Sequence, residues 1–445
     1  MKNKPPTSSW QEYSFLEIAK NDKFAIVDGP FGTQLHSDEY TETGIPLVRI
    51  ENLSFSGKFC PANLAFISER KAKQLNRSRV VPDDLIIAKT GATIGKSGMF
   101  PKTFTDGIIA SSCMKVSCDP KKVDPKLILY MIVWENGQKK ILEGAGGSTR
   151  TSINIGPFSD IRLLIPESIS EQHKIAEILT TVDDAIEQTE ALIRKHQRIK
   201  QGLMQDLLTR GVDANGQLRQ VAKLAPSLYK QNDDQWIPNE WTIRTIENLS
   251  IYVGSGITPK GGSEVYVSEG VMFIRSQNVT FEGLLLNDVA YIDDQIHRSM
   301  CRSEIFPFDV LINITGASIG RCCVFPDWFG RANVNQHVCA IRFASPDYYD
   351  SNYLSYVLSS WIGQSQIDKL NAGGNRQGLN YQQLRSFQIP WPEKNERKII
   401  VDILKRNDEL ITIEKNNHLK LLSLKQGLMQ DLLTGKVRVN ALLKN

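Results

Sequence analysis

The chain has 445 residues, 41% of them hydrophobic and 23% charged, with a formal net charge of +4. That length suits two to four domains, each able to bury a core of its own. The longest purely apolar run, residues 127–134, is far short of the ~20 residues a membrane span needs. The mildly basic balance permits nucleic-acid binding without requiring it. The basic N-terminus lacks the apolar core of a signal peptide, so cytoplasmic residence without membrane association is expected.

In chain order, residues 10–166 read as short strands separated by Gly, Asn, Asp and Pro turns. Examples are the runs at 47–50 and 85–88, with one helix near 124–142. Pro166 stops the last strand, and Ser170 is the expected cap of a long helix over 171–209. Its apolar positions, Ile175, Leu179, Val182 and Ile186, then Ile193, Ile199, Leu203 and Leu207, begin with alternating steps of four and three. That is the seam of a helix packed on another long helix. At 1.5 Å per residue the rod would span roughly 58 Å, more than one small domain requires.

Residues 211–235 are polar, carry Gly and Pro, and read as a linker. Then the chain repeats. The string KQGLMQDLLT occurs at 200–209 and again at 425–434. Residues 82–96 match 307–321, 48–57 match 274–283, 143–154 match 370–380, and 171–179 match 396–404. Two copies at this period mean domain duplication. The second copy has strand-like runs such as 310–314, a helix near 350–370, and a second seam through Ile400, Leu404, Ile411, Leu421 and Leu428. Asn407, Glu414 and His418 make this seam more polar, either to fix register and partner or because they lie at an exposed edge.

The expected fold class is α+β, with two pseudo-symmetric domains separated by a pair of long antiparallel, coiled-coil-like helices. The expected divisions are a first domain at 1–166, a central spacer helix at 167–210, and a linker at 211–235. A second domain at 236–392 and a C-terminal spacer helix and tail at 393–445 follow.

Chemistry is sparse. The segment GATIGKS at 91–97 fails the phosphate-loop count, with three residues between its glycines instead of four, and its second copy reads GASIGRC. Both copies keep TGAxIG, a tight turn after a strand. Asp83, Asp84 and Lys89 suggest a metal nuclease, but the second copy has Phe308, Asp309 and Ile314, so the set is not retained. The seven cysteines contain no CxxC, and the six histidines have no ligand spacing. Free, partly buried thiols and no metal site are expected.

A duplicated module on a rigid spacer suits a bipartite DNA target whose half-sites differ. Arg and Lys pair with guanine edges, Asn and Gln with adenine edges, and all can hold phosphates. Candidates kept in both copies are Arg49 with Arg275, Asn52 with Asn278, Lys96 with Arg321, Arg150 with Arg376, and Asn154 with Asn380. A shared task, such as backbone contact or fold, suits these. Sequence reading belongs where the copies diverge: Gln277 against Glu51, and Gln336 and His337 against Ser111 and Ser112.

Several features, in this order and, the last excepted, in duplicate, resemble the specificity (S) subunits of Type I restriction-modification systems. They are the TGAxIG turns, the AGG…R segments, the closing Ile-Pro pairs at 165–166 and 389–390, the E-x(6)-I-L helix starts, the KQGLMQDLLT endings, and WIPNEW at 236–241. The resemblance implies two target-recognition domains that bind the halves of an asymmetric, interrupted site on double-stranded DNA. It implies no catalytic residue and no cofactor of the chain's own. Two modification (methyltransferase) subunits would dock on the helices and bring S-adenosylmethionine for adenine methylation. Restriction (translocase/nuclease) subunits would bring ATP and Mg. A duplicated enzyme, or a coiled-coil adaptor, are the rival readings. The first needs an acid, base or nucleophile constellation kept in both copies; the second needs no loop-rich domains with paired basic residues.

Overall fold

The computed structural model describes residues 9–31, 33–145, 152–232, 235–371 and 378–443. Two compact units divide the chain: Met1–Glu190 with Asn416–Asn445, and Ala191–Lys415. Each is a mixed helix-and-sheet domain to which both long helices contribute.

In the first unit β1 (Ile26–Asp28), β2 (Leu85–Ala88), β3 (Ser97–Met99) and β4 (Cys113–Val116) form an antiparallel sheet in the order β1-β4-β2-β3. Side chains alternate across a strand. Leu85 and Ile87 therefore enter the main core while Ile86 and Ala88 enter a second one. Both faces are covered, which explains why this strand is continuously apolar. A second, mixed sheet packs around 45–48, where Leu47 and Val48 pair in parallel with Ile108 and Ile109. Trp10–Ser14 pairs antiparallel with Arg162–Pro166 and joins the domain's two ends.

The sequence predicts one helix near 124–142; the structure has two. They are α1 (Pro125–Val133), capped by the Asp124 carboxylate, and α2 (Glu135–Gly144), with Trp134 in extended conformation between them. Breaking a helix frees carbonyls. The Gln138 amide satisfies one, donating to Ile132 O at 2.8 Å.

The first long helix, α3 (Ile169–Leu207), starts earlier than the sequence suggested. Ser168, not Ser170, is the cap: its hydroxyl accepts from Glu171 N at 3.3 Å, and Ser170 lies inside the first turn.

The second unit repeats the plan. β5 (Ser250–Ser255), β6 (Val310–Asn313), β7 (Cys322–Val324) and β8 (Val338–Phe343) are ordered β5-β8-β6-β7. The helix pair is α4 (Tyr348–Ser359) and α5 (Trp361–Asn371), followed by the second long helix, α6 (Lys394–Leu432). Thr242–Thr245 pairs with Gln388–Trp391 and closes this domain.

The long helices run antiparallel within each unit. In the first, Asp183 of α3 meets Lys425 of α6 at 2.6 Å, and Ile175 and Leu179 share a core with Met429 and Leu432. In the second, Lys200 meets Asp408 at 2.6 Å, and Leu207 packs with Ile400 and Leu404. Val182, Ile186 and Ile411 are buried, while Leu203, Leu421 and Leu428 are half-buried. Asn407 is buried in the second unit and donates to His196 O at 3.2 Å.

These ion pairs explain the identical string. Lys200 and Lys425 are its first residues in each copy, and a domain tyrosine completes each junction. Tyr130 donates to Asp183 at 2.8 Å and Tyr356 to Asp408 at 2.7 Å. Lys425 lies 5.7 Å from the Tyr130 ring centroid and Lys200 5.6 Å from that of Tyr356. Burial and then the neighbouring carboxylate push both tyrosine hydroxyls up, so they stay protonated and donate.

The segment after each helix is also docked. Residues 211–235, linker-like in composition, send Arg219 to Glu396 at the start of α6, where Trp241 Nε1 donates to Glu396 at 3.1 Å. After α6, Arg438 pairs with Glu171 at the start of α3 and lies 5.9 Å from the Trp10 ring centroid.

Replacing Asp408 with Leu leaves an ammonium and a phenol without their acceptor. The expected loss is about 1–3 kcal/mol, read by urea unfolding. Adding Lys200→Met should cost less than the sum of the single changes. The thiols give a second check. All seven cysteines are free, and burial pushes Cys113, Cys118, Cys322 and Cys339 up to about 12. Only the thiolate alkylates. Iodoacetamide at pH 8 should therefore label exposed Cys301 and half-buried Cys60 in the folded chain; rapid labelling of any of the five buried thiols, Cys323 included, would contradict this burial.

Candidate nucleic-acid interface

Topology gathers most candidate residues at one end of each main sheet. The pairings Asp28 with Met114, Ala88 with Cys113, and Ile87 with Ser97 put the ends of β1 and β2 beside the starts of β4 and β3. The loop from Gly29, the turn at 89–96 and the turn at 110–112 all leave from there. In the second unit Ser255 pairs with Cys339, Asn313 with Val338, and Ile312 with Cys322. The same end carries the loop after β5, the turn at 314–321 and the turn at 335–337. Isolated bridges from Thr90 to Ser152 and from Thr315 to Gly378 bring in the residues that follow each AGG segment.

The TGAxIG turn is held from within its domain. Gly95 has φ +89° and Gly320 has φ +83°, a region that favours glycine. Their carbonyls accept from Gln138 at 2.9 Å and Gln364 at 3.1 Å. A Cβ added at Gly95 would stand 2.2 Å from the Gln138 amide, and one at Gly320 2.6 Å from that of Gln364. This glutamine buttress, absent from the candidate set, was discoverable: both residues recur at the repeat offset.

The candidates fall into groups. Arg321 is exposed at this end, while Lys96 is half-buried, with its ammonium 5.7 Å from the Phe55 ring centroid. Asn154 and Asn380 are exposed at the first turns of Ile155–Ser159 and Tyr381–Arg385, and the Asn380 side chain caps its helix. Arg49 and Arg275 do parallel work. Each donates to a backbone carbonyl, of Asn63 and Asp288, and lies 5.8 Å from a tyrosine ring centroid, of Tyr40 and Tyr266. Arg49 also pairs with Glu51, and Arg275 with Asp288.

Asn52 and Asn278 require correction as DNA ligands. Both are buried. Asn52 accepts from Arg49 N at 2.9 Å and donates to Cys60 O at 3.0 Å; Asn278 accepts from Arg275 N at 3.0 Å and donates to Leu285 O and Asp288 O. Their amides are engaged in holding turns. Gln277 is exposed but its amide donates to Asp288. Exposed Gln336 accepts from Thr258 and bonds half-buried His337, which contacts Thr315 at 2.6 Å. Arg150 and Arg376 lie outside the described residues.

The nuclease-like trio does not assemble. Asp84 lies before β2 and pairs with Lys115 at 3.4 Å, whereas Lys89 lies after β2 and pairs with Asp28 at 2.9 Å. Partial burial works to raise Asp28, but the Lys89 hydrogen bond and the charges of Lys89 and Arg77 hold its carboxyl below the usual range. Among the described residues no group of three or more His, Cys, Asp or Glu could hold a metal ion.

Two like domains, each presenting a different set of polar side chains at the same end of the same sheet, define a duplicated recognition protein. The comparisons agree. A match to the Type I restriction modification DNA specificity domain covers residues 32–195 and 238–423. The chain is 24% identical over 404 residues to the MjaX type I restriction enzyme specificity subunit of Methanocaldococcus jannaschii, covering 89% of this chain and 88% of that one. The MjaVIII specificity subunit of the same organism is 23% identical over 380 residues, with 84% of each covered. The fold matches the S subunit from M. genitalium with TM-score 0.61 at 15% identity, over 97% of this chain and 98% of that chain. A chain from a structure on complex assembly and conformational transition of the type I R-M system gives 0.51 at 15% identity, over 98% and 100%. The chain belongs to the family of type I restriction-modification specificity subunits. Membership carries the class of function: DNA sequence specificity.

Gly320→Ala should lower second-unit stability by about 1–3 kcal/mol, the usual cost of a strained backbone conformation, plus the amide clash. In a Gln364→Ala background the same change should cost less, because the clashing group is gone. Equal costs in urea unfolding would refute the buttress.

Proposed function

We propose that this chain is a non-catalytic subunit that recognises an asymmetric, bipartite site on double-stranded DNA. It directs adenine methylation and restriction by partner subunits. The observation that carries the reading is duplication with local divergence. The frame, the buttressed turn and the helix junction are shared, while the residues at the end of the sheet differ. Each unit then contacts one half-site, and unlike residues select unlike bases. Arg49, Lys96, Arg150, Asn154, Arg275, Arg321, Arg376 and Asn380 are candidates for shared backbone contacts, and Gln277, Gln336 and His337 for base reading.

Two modification subunits dock on the long helices, with restriction subunits completing the complex. Exposed apolar residues support docking: Leu419, Leu422 and Leu424 in the first unit, and Leu192, Ile199, Leu410 and Ile413 in the second. Solvated helices without a partner keep few such groups together. S-adenosylmethionine belongs to the modification subunits, and ATP and Mg to the restriction subunits; this chain holds none. Among the described residues no helix is long and apolar enough to cross a membrane.

Mapping methylated adenines with and without this gene tests the proposal, provided the modification subunits are expressed. One interrupted motif should disappear on deletion; persistence of every motif overturns it. Exchanging residues 10–166 for those of another family member should alter one half-site alone. A change in both would refute the division of labour.

A further inference from the structure

We infer that Gln336 reads an adenine in the half-site contacted by the second unit, through a side-chain amide oriented by Thr258 and His337. This inference rests on the proposed function. Gln336 stands on the turn before β8, at the loop-bearing end of the sheet, and is exposed. Two loops meet this turn: Thr258, from the loop after β5, contacts Gln336, and Thr315, from the TGAxIG turn, contacts its neighbour His337.

The hydrogen bonds define what the amide can offer. Thr258 Oγ1 donates to Gln336 Oε1. Gln336 Nε2 lies 3.1 Å from His337 Nε2, and His337 Nδ1 lies 2.6 Å from Thr315 Oγ1. An amide N–H donating to Nε2 leaves the imidazole proton on Nδ1, which then donates to Thr315. One lone pair on Oε1 and one N–H on Nε2 remain uncommitted. That acceptor and donor on one planar group match the N6 amino group and N7 of adenine in the major groove. Orienting the amide beforehand limits the rotamer entropy lost on binding.

Among the described residues the first unit shows no such device. At the same place it presents Ser111, Ser112 and the exposed ring of Phe31, so an adenine read this way belongs to one half-site only. Arg321, exposed at the same end of the second unit, is placed to hold a phosphate while Gln336 reads the base.

The test uses the complex assembled with its modification subunits. Methylation is compared on duplexes carrying the mapped site and on variants changed one base pair at a time. Gln336→Ala should relax discrimination at one adenine of one half-site by roughly tenfold or more, leaving the other half-site unchanged. Replacing that adenine with 7-deazaadenine, which lacks the N7 acceptor, should impair the wild type and leave Gln336→Ala indifferent. Gln336→Arg should move preference toward guanine at that position.

An unchanged motif in Gln336→Ala overturns the inference, as does equal weakening on every sequence, which marks a phosphate contact. Loss of discrimination in the other half-site overturns it too. These outcomes leave the bipartite reading standing. A wild-type complex with no interrupted motif removes that reading, and this one with it.

Discussion

A lysine, an aspartate and a tyrosine tie each domain to the long helices. Lys425 and Asp183 bridge the two helices in the first unit, and Tyr130 brings in the domain; Lys200, Asp408 and Tyr356 do the same in the second. A carboxylate this close to a domain must satisfy both partners or be left with an uncompensated charge. The position of the domain on its helices is thereby restricted. Sheet, turns and reading end inherit that placement, because the domain's helix pair carries the tyrosine at one point and the glutamine buttress at another.

The same logic accounts for which residues stayed identical between the copies. KQGLMQDLLT supplies the lysine and, through Leu207 and Leu432, apolar groups that fill the core of each unit. The string is invariant because both units use it for one junction. Elsewhere the copies solve one problem with different side chains. Val182 and Asn407 stand at matching seam positions, and the amide of Asn407 is bonded to a backbone carbonyl instead of packing as a hydrocarbon.

Much of this was legible in the sequence. Strands β2 and β6 were visible as apolar runs, and the long helices as seams, because burial writes itself into hydrophobic periodicity. The break at Trp134 was not visible: an apolar run leads straight up to it, and the Gln138 amide that satisfies the freed Ile132 carbonyl leaves no mark on hydrophobic periodicity. Site residues were legible in kind but not in role. Retention of Asn52 and Asn278 in both copies pointed to a common task, and only burial of their amides distinguishes a turn-holding residue from a DNA ligand. The cap at Ser168 was missed because two serines in one turn fit the same rule.

The glutamine beneath each TGAxIG turn separates the parts of the domain that must be kept from the parts free to vary. Gln138 and Gln364 hold the turn from the domain side, so the exposed residues on neighbouring loops carry little of the fold's stability. Substitutions at such surface positions usually fall within about 0.5 kcal/mol. A lineage can therefore drift among target sequences with little thermodynamic cost to folding. Recognition of new DNA becomes an evolutionary variable, while the scaffold that presents it remains constant.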